Sequence, residues 1–343
     1  MTPVSKTTVG GGPSGPPVDR YGRVHTSLRV SVTDRCNIRC FYCMPDTSIR
    51  FKRREELLTF EEIERVVGVA AGLGVDKVRL TGGEPLVRAN LDRLVRMLAQ
   101  VPGLTDLALT TNGILLAEQA ASLRQAGLQR LNISLDGLTE ATFRRISRRD
   151  GLNQVLEGIA TAQRLGFRKI RLNAVAIRGI TEPEIVPLAS FARNHGLEVR
   201  FIEFMPLDAD QAWRTDQVLN AETILRTLEE EFGPLVPVAR DDVSQPATNF
   251  SFADGEGQVG VIRPITAPFC SNCNRLRITA EGQLRNCLFS TVEWDVRELL
   301  RGGGSDAEIA QLIRDCVATK KAGHGIDDPD FVRPVRPMYQ IGG

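Results

Sequence analysis

An α/β fold on a parallel sheet is what this sequence predicts, and three observations carry the prediction. Six short β-branched runs recur between residues 28 and 204. Segments with helical periodicity separate them. The residues richest in chemistry fall just after the runs, where parallel strands present their C-terminal ends. Strands alternating with helices imply right-handed crossovers. Two architectures fit: an open doubly wound sheet and a barrel-like (βα)6 sheet.

The runs are LRVSV (28–32), KVRLT (77–81), DLALT (106–110), RLNISL (130–135), KIRLNAVAI (169–177) and EVRFIEF (198–204). After the first comes LTFEEIERVVGVAAGLG, with Thr59 as N-cap and Glu62 completing a capping box. Its Phe60, Ile63, Val66, Val67 and Ala70 share one helical face. NLDRLVRMLAQ begins at Asn90, a second cap candidate. AEQAASLRQAG and GLNQVLEGIATAQRLG each end on a glycine suited to a helix stop. Beyond about residue 240 the alternation gives way to short strands and loops, with helical pattern returning near 293–320. The chain therefore divides into a main domain over 21–240 and a smaller C-terminal α+β domain over 241–343. Residues 1–20, rich in Gly, Pro, Ser and Thr, read as disordered until a partner orders them.

The composition narrows the partners. The 343 residues are 42% hydrophobic, enough for a large core, and 43 Lys+Arg against 42 Asp+Glu leave a net charge of +1. No global field favours nucleic acid or an anionic membrane, so any anion site must be a local basic cluster. No apolar run has membrane-spanning length, and the N-terminus lacks the apolar core of a signal peptide, so a cytoplasmic protein is expected. Seven cysteines in that compartment point to metal binding or catalysis rather than disulfides.

Those cysteines are clustered. Cys36, Cys40 and Cys43 stand in DRCNIRCFYCMP with C-x3-C-x2-C spacing. Cys270 and Cys273 form a C-x2-C, with Cys287 further on. Cys316 lies on a helical pattern and reads as core. Three thiolates can hold three irons of a [4Fe–4S] cube and leave the fourth open. The competing reading is zinc, which needs a fourth ligand such as His25 for the first group or His324 for the second. Downstream, Gly82-Gly83-Glu84-Pro85 follows the second run, with two glycines that permit close backbone approach. Its Glu84 could accept from an ammonium. Arg275 and Arg277, two apart in an extended segment, face one way and suit a polyanion. Arg29 is a charge inside a run that should be buried, which calls for a partner: an anionic ligand, or Glu203 as the plainer alternative.

C-x3-C-x2-C after the first run and GGEP after the second together resemble the radical S-adenosylmethionine family. LRVSVTDRCNIRCFYCMP, KVRLTGGEPLVR, TTNG, LNISLDGL, RFIEFMP, FCSNCNRLR and the terminal Gly-Gly narrow the resemblance to the GTP 3′,8-cyclase family. It implies an incomplete (βα)6 TIM-like barrel with the C-terminal α+β domain, and a lyase of molybdenum cofactor biosynthesis. It implies two [4Fe–4S] clusters, on Cys36, Cys40 and Cys43 and on Cys270, Cys273 and Cys287. S-adenosylmethionine would touch Tyr42, Gly83, Ser134 and Met205. GTP would touch Arg29, Arg79, Thr110, Arg171, Arg275, Leu276 and Arg277, with Arg171 standing where the family has lysine. The radical comes from the cofactor, with Gly342, Gly343, Arg275 and Arg277 assisting. The implied partners are GTP, an electron donor such as flavodoxin or ferredoxin, and a downstream cyclic pyranopterin monophosphate synthase. No nucleic acid or membrane is implied, and a homodimer is left open. A peptide maturase would carry more C-terminal cysteines, and an electron carrier or zinc module would need neither GGEP nor TNG.

Overall fold

The structure, a computed structural model, describes residues 15–44, 49–208, 212–240 and 242–342. All six expected strands form: β1 Ser27–Ser31, β2 Lys77–Thr81, β3 Asp106–Thr111, β4 Arg130–Ser134, β5 Lys169–Ala176 and β6 Glu198–Glu203. Between them run α1 Phe60–Gly72, α2 Leu91–Leu98, α3 Leu116–Gln125, α4 Glu140–Ser147, α5 Leu152–Arg164 and α6 Ile185–Asn194. After β6 come α7 Ala221–Phe232, β7 Leu235–Pro237, β8 Ala247–Phe252, β9 Gln258–Ile262, β10 Arg275–Ile278, β11 Gln283–Arg285 and β12 Trp294–Asp295. The chain closes with α8 Val296–Arg301, α9 Asp306–Ala318 and α10 Met338–Ile341.

One sheet contains every strand, in the order β12-β11-β10-β1-β2-β3-β4-β5-β6-β9-β8-β7. β1 to β6 are parallel neighbours, and β10 and β9 add parallel strands beyond β1 and β6. The C-terminal part therefore extends both edges of the barrel sheet. Parallel order buries the outer face under helices. Leu28, Val30, Val78, Leu80, Leu107, Leu109, Leu131, Ile133 and Leu172 point there and join Ile63, Val67, Leu94, Leu123 and Ile159 in one core. Each such side chain contributes ~1.5–3 kcal/mol of burial. Because strand side chains alternate, the opposite set faces a cavity. Arg29, Arg79, Thr110, Asn132, Ser134, Arg171, Asn173 and Arg200 are that set.

The Thr59 cap forms as expected, with Glu62 N–H donating to its hydroxyl and Glu62 accepting from the Thr59 N–H. All five predicted face residues of α1 are buried. Asn90 does not cap α2 with its side chain; it sits at φ 60, a left-handed position that asparagine tolerates. Composition also misjudged residues 15–20. Asp19 is 5% exposed and accepts from Arg23 Nε at 2.6 Å, with His25 Nε2 at 3.1 Å. A local charge cluster orders a stretch that its glycines and prolines suggested was loose. Residues 1–14 and Gly343 lie outside the described residues. Among the described residues no helix is long and apolar enough to cross a membrane.

Candidate active site

A cavity of about 1500 Å³ opens over the C-terminal ends of the strands and runs down inside the barrel. That exceeds the ~300–1,000 Å³ of an ordinary ligand pocket, so there is room for two small molecules. Both cysteine triads line it: Cys36, Cys40 and Cys43 from the loop after β1, and Cys270, Cys273 and Cys287 from the C-terminal part.

The first triad is held by backbone. Cys43 and Met44 N–H groups both donate to Cys40 O at 2.9 Å, closing a tight turn. Arg39 N–H and Phe41 N–H donate to Ser147 O and Ile146 O at the end of α4. Tyr42, Ile146, Ile177 and Phe204 pack beside Cys40 and Cys43 and keep water out. Burial pushes the Cys36 thiol up to about 11 and raises the Cys40 and Cys43 thiols as well. Such thiols give up their protons to a metal rather than to water. Tyr42 hydroxyl donates to Asp136 Oδ2 at 2.7 Å, while Val175 N–H donates to Oδ1 at 2.7 Å. Burial raises Asp136 to about 6 against the pull of those donors.

GGEP has a more local purpose than ligand approach. A Cβ on Gly82 would lie 2.4 Å from Thr33 O, and one on Gly83 would lie 2.4 Å from Arg35 O. Gly83 N–H donates to Thr33 O and Glu84 N–H to Arg35 O, each at 2.8 Å. The glycines thus let this loop lie flat on the cysteine loop. Glu84 lines the cavity and is already held by three donors. Its carboxylate accepts from Thr111 Oγ1 at 2.7 Å, Asn112 N–H at 2.6 Å and Leu86 N–H at 3.0 Å. Burial raises it to about 7.

The second triad sits among cations. Arg275 Nε lies 3.4 Å and Lys320 Nζ 3.5 Å from Cys273 Sγ. Burial alone would raise Cys273, but Arg275 and Lys320 bring it down to about 5. A thiolate cluster carrying net negative charge fits such surroundings. His324 is unavailable as a zinc ligand: Nε2 meets Pro264 O at 2.7 Å and Nδ1 accepts from Ile326 N–H at 3.2 Å. His25 is buried with Nε2 against Asp19 and does not line the cavity that holds the triads. Among the described residues no three His, Cys, Asp or Glu side chains converge on a single-ion position.

Between the triads lies a row of arginines set by strand register, Arg29 pairing across to Arg79 on one side and Arg277 on the other. Arg29 makes no ion pair with Glu203. That carboxylate accepts instead from Ala221, Ile265 and Thr266. Burial, then the crowding of Arg277 and Arg275, pulls Arg29 well below the usual guanidinium range. Burial and its arginine neighbours do the same to Arg79. Neither has a hydrogen-bond partner among the described residues. Arg200 joins this row and was missed in the sequence, although it carries Arg29's signal: a charge inside an apolar strand. Its Nη2 is buried without a partner.

Tyr42, Gly83, Ser134, Met205, Thr110 and Arg171 also line the cavity. Leu276 does not. It is 1% exposed in the core, because strand alternation turns it away from Arg275 and Arg277. Gly342 lies at the cavity's edge, its carbonyl accepting from Arg277 Nη1. Lys320 is a further lining residue that sequence pattern did not single out, while Asn112 and Asp136 line the cavity from just beyond β3 and β4.

A partial parallel barrel with a three-cysteine loop after its first strand defines the radical S-adenosylmethionine class. The radical SAM superfamily pattern matches residues 30–192, and the pattern called Molybdenum Cofactor Synthesis C matches residues 197–326. The GTP 3′,8-cyclase of Rhodopirellula baltica is 53% identical over 329 residues, spanning 95% of this chain and 92% of that protein. That of Mycolicibacterium smegmatis is 47% identical over 96% of this chain and 92% of its own. The chain belongs to the GTP 3′,8-cyclase family. Membership in the radical SAM superfamily implies one [4Fe–4S] cluster and S-adenosylmethionine. Fold likeness extends to Streptococcus suis SuiB bound to S-adenosylmethionine, with TM-score 0.57 and 14% identity over 86% of this chain and 69% of that one. Methylornithine synthase shares the fold at TM-score 0.51 and 17% identity, over 84% and 86% of the two chains.

Proposed function

We infer that this chain converts GTP to (8S)-3′,8-cyclo-7,8-dihydroguanosine 5′-triphosphate, with 5′-deoxyadenosine and methionine formed from S-adenosylmethionine. The observation that carries this is the row of arginines between two cysteine triads, in which Arg29 and Arg79 have no hydrogen-bond partner among the described residues. Cys36, Cys40 and Cys43 would hold the family's cluster, and Cys270, Cys273 and Cys287 a second. When bound, the first cluster and S-adenosylmethionine supply a radical able to abstract hydrogen from the ribose of GTP.

The chain's own residues do the rest by placement. Tyr42 and Asp136 brace the first cysteine loop, and Gly83, Ser134 and Met205 line the space beside it. Arg29, Arg79, Thr110, Arg171 and Arg200 offer donors to a triphosphate. Arg275 and Arg277 join them from beside the second triad, and Arg277 also holds the Gly342 carbonyl. Fixing both ends of the nucleotide presents its ribose in one orientation, which is how positioning lowers a barrier. A flavodoxin or ferredoxin would supply electrons, and a cyclic pyranopterin monophosphate synthase would take the product, in the cytoplasm.

The test is an anaerobic iron count on the wild type and on a Cys270→Ser, Cys273→Ser, Cys287→Ser variant. The reading expects about eight irons for two cubes in the wild type and about four in the variant. The variant should still yield 5′-deoxyadenosine but no cyclised nucleotide. Equal iron in both proteins would overturn the second cluster.

A further inference from the structure

Among the described residues Glu198 is the only carboxylate in contact with the arginine row, and it does not line the cavity. It is 7% exposed and stands behind the row. Its Oε2 accepts from Arg171 Nε at 3.0 Å, and its Oε1 accepts from Arg200 Nε at 2.5 Å. Asn249 Nδ2 donates to the same Oε1 at 3.1 Å. Burial would raise this carboxyl, but Arg200 and Arg171 outweigh it and hold it below the usual range.

The surroundings are shaped for this contact. Arg200 pairs across with Gly260 of β9, and Gly260 pairs across with Asn249 of β8. A Cβ on Gly260 would lie 2.9 Å from Asn249 Oδ1 and 3.1 Å from Arg200 Cγ. The bare glycine lets the arginine and asparagine side chains meet over it. In both arginines the inner Nε is committed to Glu198. No Nη of either makes a hydrogen bond among the described residues, and Nη2 of Arg200 is buried without a partner. Both arginines line the cavity.

We propose that Glu198, supported by Asn249, is a positioning residue for the phosphate end of the substrate: it clamps Arg171 and Arg200 by their Nε edges and turns their terminal nitrogens toward a triphosphate. The clamp deepens the functional reading above and rests on it. It also accounts for arginine at 171. A guanidinium can bond a carboxylate through Nε and an anion through Nη, whereas one ammonium must divide its charge between them. β8 and β9, which continue the sheet beyond β6, thereby acquire a task, which is to hold Glu198 in place.

The experiment compares affinities for GTP and for guanosine, by anaerobic calorimetry on reconstituted protein, in wild type, E198Q and N249A. The clamp predicts that E198Q weakens GTP at least tenfold. Guanosine should change less than twofold, and S-adenosylmethionine affinity and iron content should hold. N249A should weaken GTP in the same direction by a smaller factor. E198D should recover part of the loss. A purely structural role would lower all three affinities together, and that result would overturn the proposal. So would an E198Q protein that binds GTP as the wild type does. Should E198Q fail to fold, N249A decides, and undiminished GTP affinity there refutes the clamp. Wild-type protein that binds no GTP would instead overturn the functional reading, while wild-type binding with an indifferent E198Q overturns the clamp alone.

Discussion

Replacing Gly83 with alanine tests how the cysteine loop after β1 and the GGEP loop after β2 depend on each other. The added Cβ would lie 2.4 Å from Arg35 O, 2.7 Å from Arg35 C and 2.8 Å from Asp34 O. Backbone atoms cannot step aside as a flexible side chain can, so one loop must move. The move stretches two hydrogen bonds, Gly83 N–H to Thr33 O and Glu84 N–H to Arg35 O, both now 2.8 Å. Each is worth about 1 kcal/mol. Accommodating the methyl adds about 1–3 kcal/mol. The expected cost is therefore about 3–5 kcal/mol, concentrated one residue away from Cys36. The assay is thermal unfolding of metal-free protein together with iron content after anaerobic reconstitution. Gly68 supplies the control, since it sits on α1 with no atom within 4 Å of a Cβ. G68A should gain about 0.5–1 kcal/mol from helix propensity and keep all its iron. G83A should unfold earlier and lose the first cluster. A G83A protein with wild-type stability and iron would refute the idea that these glycines exist to seat the cysteine loop.

Other outcomes follow from the same geometry. Arg29→Met removes an uncompensated buried charge, so the metal-free protein should melt higher while GTP affinity falls at least tenfold; calorimetry and unfolding read both. Leu276→Ala should cost about 2–5 kcal/mol of stability by cavity formation and leave the KM for GTP unchanged. A raised KM at wild-type stability would return Leu276 to the substrate site. Gly342→Ala puts a Cβ 2.9 Å from Thr81 Cγ2 at a residue with φ +83, so turnover should fall while iron content holds. His25 is brought down to about 4 by burial and by Lys320, against the pull of Asp19. The unfolded chain therefore binds the extra proton. Stability from this group is complete above about pH 6.5 and is lost as pH falls toward 4, by up to about 3 kcal/mol, a limb that His25→Gln should flatten in acid unfolding curves.

The barrel was readable because its strands and helices have different periods. β-branched runs gave all six inner strands to within a residue or two, and Thr59 with Glu62 gave the start of α1. The C-terminal strands were not placed by pattern. β9 and β10 pair with β6 and β1, contacts between parts of the chain far apart in sequence, and local periodicity carries no record of them. The cysteine triads were legible from spacing, and Arg29 from a charge inside an apolar run. Arg200 shows the same signal, a charge inside an apolar run, and was not singled out. Leu276 is a different case. The resemblance supplied it as a contact, while strand alternation around Arg275 and Arg277 already pointed it into the core. Glu84 looked free because two of its three donors, Thr111 and Asn112, come from the end of β3, which only the fold brings near it.

The central claim is that this cavity holds S-adenosylmethionine against the first triad and GTP between the arginines and the second. Anaerobic incubation of reconstituted protein with S-adenosylmethionine, dithionite and GTP, followed by mass spectrometry, tests it most directly. The account predicts 5′-deoxyadenosine together with a cyclised dihydroguanosine triphosphate. Formation of 5′-deoxyadenosine with GTP recovered unchanged would contradict it.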